Sequence, residues 1–376
     1  MRIHLAMGAA AVALFPLTVM AQTTPPPPAP PADVAAAPPA VPGVQKTWKD
    51  MVTFEGLADA YGSFRPGGSQ SVPLGFRVFD APTDTFSLAF AKLAVGVKAD
   101  PVGMRLDLGF GPVADLTAST PNAEVWKHIL QAYGTFAVGG TTPLTIDIGK
   151  FVTAAGAEVI EAHANWNYSR SFLFGYAIPF THTGVRLTAP LSSALTLQVM
   201  LANGWDNSID NNAGKTLGVS ATFVAPTGTT IIGNVMAGPE PQMGAGNPWR
   251  FLVDAVVSQS FGKLSLNANF DYGHQDTFNW WGLAAYARAP VTSMMNLSVR
   301  GEIFQDREGF RLGLPLGSYT VEEITVTAGF PVGNNAELRA EARFDFAGDT
   351  IYAYEPMGTD AKKFQSSLTG AALVWF

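Results

Sequence analysis

The side chains that could carry out covalent chemistry are few and scattered in this sequence. It contains five histidines and no cysteine, which leaves no disulfide, no zinc–thiolate site and no cysteine nucleophile. The histidines beyond the N-terminal region are His128, His163, His182 and His274. They stand singly, without the close spacing of a zinc site. The one pairing that hydrolysis could use is His182 with Ser169 or Ser171. The sequence therefore indicates no metal site and no cofactor, and leaves a hydrolase as one alternative.

Charged residues, by contrast, follow a regular pattern. In Glu337–Phe346, acidic and basic side chains take every second position and apolar side chains take the positions between them. Met104–Leu108, Leu264–Phe270 and Leu130–Val138 alternate in the same way, with neutral polar residues in place of some charges. A period of two is typical of a β-strand with one polar and one apolar face. Periodicity alone does not decide whether the apolar face packs in a soluble core or contacts lipid.

The segments that must position these side chains are short and regularly spaced. From Val44 onward we find about sixteen strand-like stretches bounded by Gly, Pro, Asn or Asp. Tight and long connections alternate between them. The tight ones are Asp100–Gly103, Gly139–Pro143, Pro190–Ala194, Pro226–Gly228, Phe261–Lys263, Pro290–Ser293 and Val332–Asn335. The long ones are Arg65–Thr85, Gly111–His128, Val152–Phe180, Trp205–Gly214, Gly238–Pro248, His274–Asn279, Gln305–Ser318 and Ala347–Lys363. This rhythm is typical of transmembrane β-barrels with an even number of strands.

One strand breaks the alternation. In Phe86–Lys98 the apolar residues occupy even positions up to Phe90 and odd positions from Leu93 onward. We expect a β-bulge near Ala91–Lys92, because one extra residue exchanges the two faces of a strand. A misplaced strand boundary would explain the pattern equally well.

The composition excludes several classes of protein. Beyond the N-terminal region there is no run of about 18 uncharged apolar residues, which excludes helical membrane spans. Charged residues make up 14% of the chain, against about 25% in typical soluble domains, and there are 38 glycines. A barrel with an apolar outside and a polar lumen explains this composition. The formal net charge of −7 argues against a nucleic-acid partner.

The two ends of the chain predict export. Residues 1–21 combine a basic start, an apolar run and small residues, which is the pattern of a secretory signal peptide. Residues 22–44 are largely Pro, Ala and Thr and predict a disordered tether, so that 45–376 would form the barrel. Ser366–Phe376 reads as one strand with an apolar face that ends on Phe376. A terminal Phe of this kind resembles the signal that marks Gram-negative outer-membrane barrels for assembly, and it predicts that both termini are periplasmic.

Several segments carry the features of a known family. They are Phe54–Tyr61, Ile146–Phe151, Asn165–Ser171, Pro179 and Thr183–Arg186. Together they resemble the Gram-negative outer-membrane porins, specifically the OmpL-like β-barrel porin family, over the region after the tether. The resemblance implies an all-β fold, a transmembrane antiparallel up-and-down β-barrel of about 16 strands. It also implies passive diffusion of small hydrophilic solutes and ions, and a homotrimer.

The resemblance further implies that the third long loop folds into the lumen and narrows it. Val152–Phe180 occupies that position and is the longest loop. Its candidate constriction residues are Glu158, Glu161, His163, Asn165, Asn167 and Arg170. The wall charges expected to oppose it are Arg105, Asp107, Asp147, Arg186, Arg300, Glu302, Arg339, Glu341 and Arg343. Acids and bases are nearly balanced among them, so no ion preference is predicted. Any one of them could instead belong to a cross-strand pair without a selective role.

Three functions therefore stay open. The first is a diffusion porin whose partners are outer-membrane lipid, small polar solutes and, through the last strand, the barrel-assembly machinery. The second is a structural or adhesive barrel plugged by its loops. Abundant inward Phe, Leu or Trp would favour the plugged barrel, and few are expected from the alternation. The third is the hydrolase built on His182.

Overall fold

The chain forms a closed β-barrel in a computed structural model that describes residues 51–68, 72–117, 126–140, 144–242, 244, 246–355 and 360–376. The strands of the barrel wall are β1 (Val52–Phe64), β2 (Thr85–Val97), β3 (Val102–Phe110), β4 (Ile129–Val138), β5 (Leu144–Val152), β6 (Thr181–Pro190), β7 (Leu195–Ala202), β8 (Thr216–Val224), β9 (Thr230–Pro239), β10 (Trp249–Phe261), β11 (Leu264–Gln275), β12 (Phe278–Thr292), β13 (Met295–Asp306), β14 (Tyr319–Pro331), β15 (Ala336–Ala347) and β18 (Phe364–Trp375). Two short strands, β16 (Tyr352–Ala353) and β17 (Ala361–Lys362), pair with each other in the last loop.

Sixteen of these strands close into one sheet. Each pairs in antiparallel fashion with its neighbours along the chain, and β1 pairs with β18, with Leu57 opposite Trp375. The predicted all-β barrel of about sixteen strands is therefore confirmed. The signal peptide and the tether predicted for residues 1–44 lie outside the described residues.

Among the described residues, helical structure is confined to the loops. It comprises the helix α1 (Pro112–Thr117), the 3-10 turns Trp126–His128 and Ala162–Ala164, and the π turn Leu173–Ala177. None of the helices in the described part of the chain is long and apolar enough to span a membrane.

Burial along the strands is inverted relative to a soluble sandwich. In β15, Leu338 is 52% exposed, whereas Arg339 is 4% and Arg343 0% exposed. The same register recurs in β1, where Phe54 is 61% and Asp59 only 1% exposed. Apolar side chains thus point out of the barrel and charged side chains point in, as a wall between lipid and a polar lumen requires.

The connections differ at the two ends of the barrel. The tight turns predicted from the sequence all join adjacent strands at one end, with small shifts in their bounds. The long loop predicted for His274–Asn279 is wrong, because β11 and β12 are separated only by Asp276 and Thr277. The polar residues that suggested a loop are cross-strand partners, with His274 Nδ1 2.9 Å from Asn279 Oδ1. Asp276 takes a φ of 56°, which Asp tolerates in tight turns.

The bulge in β2 is present but lies two residues before its predicted position. Asp59 pairs with Phe90 and Ala60 with Leu88, which leaves Ala89 as the extra residue. Ala89 and Phe90 are both buried, so the change of face is complete before Ala91. As a result, Lys92 points into the lumen, where it becomes part of the site described below.

The longest connection between barrel strands, residues 153–180, lies inside the barrel and is called the third loop below. Phe172, Leu173 and Phe174 of this loop are buried among inward residues of the wall such as Phe304. Gly282 permits this close approach, because a Cβ atom there would lie 2.4 Å from the Leu173 side chain.

Large apolar residues face inward at many strand positions, contrary to the expectation that they would be few. Buried inward examples are Phe90, Phe151, Leu252, Trp280, Phe304 and Leu373. Several lie in uninterrupted apolar runs such as Phe251-Leu252-Val253, in which no alternation marks the inward residue. The interior of this barrel is therefore partly a packed core and not only a polar surface.

Candidate pore constriction and the lumen walls

Two carboxylates of the wall bind successive backbone amides of the third loop. Glu341 on β15 accepts hydrogen bonds from the N–H groups of Tyr168 at 2.6 Å and Ser169 at 3.1 Å. Glu302 on β13 accepts from the N–H groups of Phe172 and of Leu173, the latter at 3.2 Å. Charge-assisted bonds to ionised acceptors are about twice as strong as neutral ones. The loop segment between these two acids is thus held by its backbone, whatever its side chains do.

Two arginines of β15 bind the carbonyl groups of the same loop. Arg339 donates from Nη1 to Ala162 O at 2.9 Å and to Asn167 O at 3.2 Å. Arg343 donates from Nη1 to Arg170 O at 2.6 Å. Each guanidinium also donates through Nε to an acid of its own strand, Arg339 to Glu337 at 2.8 Å and Arg343 to Asp345 at 2.6 Å. The strand therefore presents guanidinium groups that are already oriented by their neighbours.

Arg300 on β13 lies at the centre of the contact between loop and wall. Its Nε donates to Glu323 on β14 at 2.6 Å, and its Nη1 donates to Glu158 of the loop and to Ser169 O, each at 2.6 Å. Glu158 in turn accepts from the N–H of Ser171 at 2.7 Å and from its hydroxyl at 2.8 Å. The Arg300 side chain is 0% exposed. We call the inner faces of β13, β14 and β15 the loop-binding wall.

The other polar residues of the loop are also engaged. Asn167 Nδ2 donates to Thr327 Oγ1 on β14 at 2.7 Å. Asn165 braces the loop itself, since its side chain bonds both the N–H and the C=O of Val159. The Arg170 guanidinium lies 4.7 Å from the ring centre of Phe79, a residue of the first loop.

Glu161 and His163 are the loop candidates that keep some exposure to solvent. Glu161 pairs with Lys92 of β2 at 2.5 Å, and its side chain is 20% exposed. The His163 side chain is 23% exposed and lies over Trp375, with ring centres 5.2 Å apart. Burial lowers the pKa of His163 below its ordinary value, which keeps the ring neutral at pH 7.

A second group of charges lies on the inner faces of β3 to β6 and at the neighbouring Glu55 of β1, which together we call the open wall. Arg105 pairs with Asp107 on its own strand and, at 2.6 Å, with Glu55 of β1. Arg186 pairs with Asp147 at 2.8 Å, and its guanidinium lies 4.4 Å from the ring centre of Phe151. The side chains of Arg105 and Arg186 are 19% and 15% exposed. Their ion-pair partners are wall residues, so this side of the lumen retains charges in contact with solvent.

The predicted site residues thus divide into two sets. Arg300, Glu302, Arg339, Glu341 and Arg343 contact the third loop, whereas the ion pairs of Arg105, Asp107, Asp147 and Arg186 stay within the wall. The sequence reasoning missed further members of the network, namely Lys92, Glu323, Glu337 and Asp345. Glu337 and Asp345 continue the alternation of β15, which could have found them. Glu323 follows Glu322, so the inward member of that pair could not be identified, and Lys92 was hidden by the bulge.

The pairing proposed for a hydrolase does not form. His182 lies with Nδ1 3.1 Å from Gly204 O and Nε2 3.3 Å from Thr153 Oγ1. Ser171 donates its hydroxyl hydrogen to Glu158, and the Ser169 hydroxyl lies 3.3 Å from Arg300. Within the described ranges there is also no group of three or more His, Cys, Asp or Glu side chains that could hold a metal ion.

Phe376 lies at the seam where the barrel closes. Its N–H donates to Gly56 O, and its C=O accepts from Gly56 N–H, each at 3.1 Å. Its ring covers Gly56, since a Cβ atom there would lie 2.1 Å from the ring. The ring remains 69% exposed on the outer face.

Solved structures with the same fold are outer-membrane channels. The anion-selective porin from Comamonas acidovorans has a TM-score of 0.59 and 11% identity, over 86% of this chain and 99% of that chain. The outer membrane channel DcaP of Acinetobacter baumannii has a TM-score of 0.57 and 12% identity, over 86% and 97%. OmpF of Salmonella typhi, solved as a complex with daunomycin, has a TM-score of 0.56 and 11% identity, over 86% and 97%. No curated protein sequence matches the chain.

A closed sixteen-stranded barrel with an apolar outside, a charged interior and a long inward loop defines the class of outer-membrane porins. At these identities the solved structures establish the fold. The family follows from the sequence, because residues 51–376 match the model described as "Putative beta-barrel porin-2, OmpL-like". The chain belongs to this family of outer-membrane β-barrel porins.

Proposed function

We propose that the protein lets small hydrophilic solutes and ions diffuse through the barrel, past a constriction formed by the third loop and the open wall. The observation that carries this proposal is that Glu302, Glu341 and Arg300 hold the loop against β13 and β15, whereas Arg105 and Arg186, in the described part of the chain, bind acids of the wall and not the loop. The open wall keeps partly exposed charges at Arg105 and Arg186. Solvated fixed charges beside a narrow passage act on passing ions through their electrostatic field. Because acids and bases alternate there, we expect only a modest preference for either ion sign.

Planar-bilayer recording of the refolded protein tests this function. We expect stepwise conductance that rises with salt concentration, and liposome swelling that falls as the size of an added sugar increases. A barrel that is folded, as shown by its heat-modifiable migration in gels, and yet gives no conductance steps would overturn the proposal.

We further propose the orientation and the partners of the barrel. Both termini would face the periplasm, the assembly machinery would bind the strand that ends at Phe376, and three copies would associate. The seam contact between Phe376 and Gly56 supports a role of this residue in closing the barrel. The orientation is tested with variants that carry a tag in a tight turn or in a long loop. Intact cells that export these variants are treated with trypsin, which reaches only the tags on the outer side of the membrane. Native mass spectrometry in detergent tests the trimer.

A plugged barrel is the second candidate, because many large apolar side chains meet inside the lumen. The third loop packs through Phe172 and Leu173, and the first loop adds Phe79, whose ring centre lies 5.6 Å from that of Phe174. Packing of this kind resists opening, since each buried aromatic side chain loses hydrophobic stabilisation when it moves into water. In that case the wild-type barrel would conduct little.

One double variant separates the two candidates. Replacing Glu302 and Glu341 by Gln removes both anionic acceptors of the loop backbone while leaving side-chain size unchanged. A diffusion porin should conduct before the change and show larger, noisier steps after it. A plugged barrel should be silent before the change and conduct only after it. Glu55→Gln together with Asp107→Asn serves as the control, because these carboxylates pair with Arg105 and, among the described residues, neither accepts a hydrogen bond from the backbone of the third loop.

A further inference from the structure

Three inward side chains form a row across β9, β10 and β11. Asn234 pairs with Asp254 across the first pair of strands, and Asp254 pairs with Asp271 across the second. Directly opposed side chains of this kind have Cβ atoms about 4.5–5.5 Å apart. All three are buried, with Asn234 and Asp254 1% exposed and Asp271 0% exposed. Two carboxyl groups thus face each other inside the barrel, away from bulk water.

This acid pair lacks the cationic partner that several other buried acids of the lumen have. Glu323, Asp345 and Glu337 each form an ion pair with an arginine, but neither Asp254 nor Asp271 does so among the described residues. The next charge that acts on Asp271 is that of Glu302, which is also negative. Like charges directly opposite each other on a sheet are destabilising, and an unpaired buried charge is more so.

The hydrogen bonds of the row leave several oxygen atoms unused. Asp254 accepts from Asn234 Nδ2 at 2.5 Å and from Asn269 Nδ2 at 2.7 Å. Both oxygens of Asp271, and the side-chain oxygen of Asn234, are buried without a hydrogen-bond donor in the described part of the chain. A proton shared between the carboxyls would satisfy only part of this set. A bound cation compensates both carboxylates, because it accepts electron pairs from several oxygens at once.

We propose that Asp254 and Asp271 bind one calcium ion, with the Asn234 side-chain oxygen as a further ligand. Carboxylate and amide oxygens are the ligands that calcium takes, and its flexible coordination suits a site that strand register places without ideal octahedral geometry. Magnesium demands near-octahedral geometry and gives up its water reluctantly. Two carboxylates supply two negative charges, which one divalent ion neutralises.

The site lies beneath the root of the third loop. Ala157 N donates to Asn269 Oδ1 at 3.1 Å, so the amide that bonds Asp254 also holds the loop. The N–H of Gly156 lies against Asp254 as well. The ion therefore neutralises the two carboxylates at the point where the loop leaves the wall. Its removal weakens the attachment of the loop, because Asn269 bonds both Asp254 and Ala157 N. This inference does not depend on which solutes pass through the lumen.

Terbium luminescence of the refolded barrel tests the site, with Tb³⁺ as the probe and Ca²⁺ as the competitor. Trp280 is a suitable antenna, because its ring packs over Gly273, the next inward residue of β11 after Asp271. We expect sensitised emission that Ca²⁺ displaces, and a thermal midpoint that rises with Ca²⁺ and falls with a chelator. Protein refolded from inclusion bodies excludes signal from lipopolysaccharide.

Asp271→Asn and Asp254→Asn should each weaken the emission and remove the calcium-dependent rise in the thermal midpoint, with affinity lowered roughly tenfold or more. Asp276→Asn is the matched control, because Asp276 lies in the exposed turn between β11 and β12. This variant should behave as the wild type. If one carboxyl variant does not fold, the other still reports on the site. Emission or calcium stabilisation that survives both substitutions overturns the proposal, as does a wild-type barrel that is indifferent to calcium.

Discussion

The two sides of the lumen use the same residue types for different tasks. On the loop-binding wall, Arg300, Arg339 and Arg343 each bind at least one acid of the wall and at least one backbone carbonyl of the third loop. On the open wall, the guanidinium groups of Arg105 and Arg186 bind wall acids and an aromatic face. Whether a charged pair serves architecture or permeation therefore depends on what else its members contact, and not on its alternation in the strand.

Burial separates the two walls energetically. Arg300 and its partners Glu158 and Glu323 have side chains 0–4% exposed, so losing one member would leave uncompensated charge in a site of low polarity. On the open wall the Glu55 side chain is 41% exposed and water can take over part of the interaction. We expect removal of an arginine to lower the stability strongly on the loop-binding wall. On the open wall, the same type of change should mainly alter ion passage.

The largest effect is expected for Arg300→Met. The change removes a guanidinium that joins Glu158, Glu323 and the backbone of Ser169. Among the described residues, it leaves Glu158 without an ion-pair partner and Glu323 with only Arg343, at 3.8 Å. We expect a loss of about 3–5 kcal/mol in the free energy of unfolding, measured by urea unfolding in lipid vesicles. Arg186→Met is the matched control on the open wall. Equal destabilisation by the two variants would remove the distinction between the walls.

Glu341→Gln should have the next largest effect. Glutamine keeps one acceptor oxygen but loses the charge that holds the N–H groups of Tyr168 and Ser169. We expect a loss of about 1.5–3 kcal/mol and larger current fluctuations in single-channel recordings, because the loop is freed at that point. Glu55→Gln makes the same change on the open wall and should leave the current noise unaltered.

Arg186→Met should act on selectivity more than on stability. Asp147 keeps a hydrogen bond from Thr135 Oγ1 at 2.7 Å, so its charge remains partly satisfied after the arginine is gone. The expected cost is about 1 kcal/mol. Removing a fixed positive charge from the passage should shift the zero-current potential in a salt gradient toward cation preference. A shift of the opposite sign would show that ions do not pass along this wall.

The contrast between the walls also sets what sequence could predict. The period of two in β15 placed Arg339, Glu341 and Arg343 on the inner face, since register fixes every side chain of a strand at once. It could not show that they bind backbone atoms of the loop, because a carbonyl group has no sequence signature. The facing acids Asp254 and Asp271 lie on different strands, and only the register between β10 and β11 brings them together. The apolar inward residues were hidden in runs without alternation, such as that around Leu252.

The smallest effect concerns the far end of the third loop, where it joins the open wall. Asp206 Oδ1 accepts hydrogen bonds from Phe180 N at 2.7 Å and Thr181 N at 2.8 Å. Burial raises the pKa of Asp206, although the bonds from Thr181 and Phe180 and the charges of Arg311 and Arg250 act against it. The native state thus keeps the proton to a higher pH than the unfolded chain, whose Asp titrates near about 3.9.

It follows that the free energy of unfolding is greatest below that value and falls as the pH rises through the raised native pKa. Asp206→Asn keeps the oxygen that accepts both bonds and removes the titration, so its stability should lack this slope while remaining close to the wild type at low pH. Urea unfolding of both proteins as a function of pH measures the difference, with Asp276→Asn on the exposed turn as the control. A pH slope that persists in Asp206→Asn would assign the titration to a group other than Asp206.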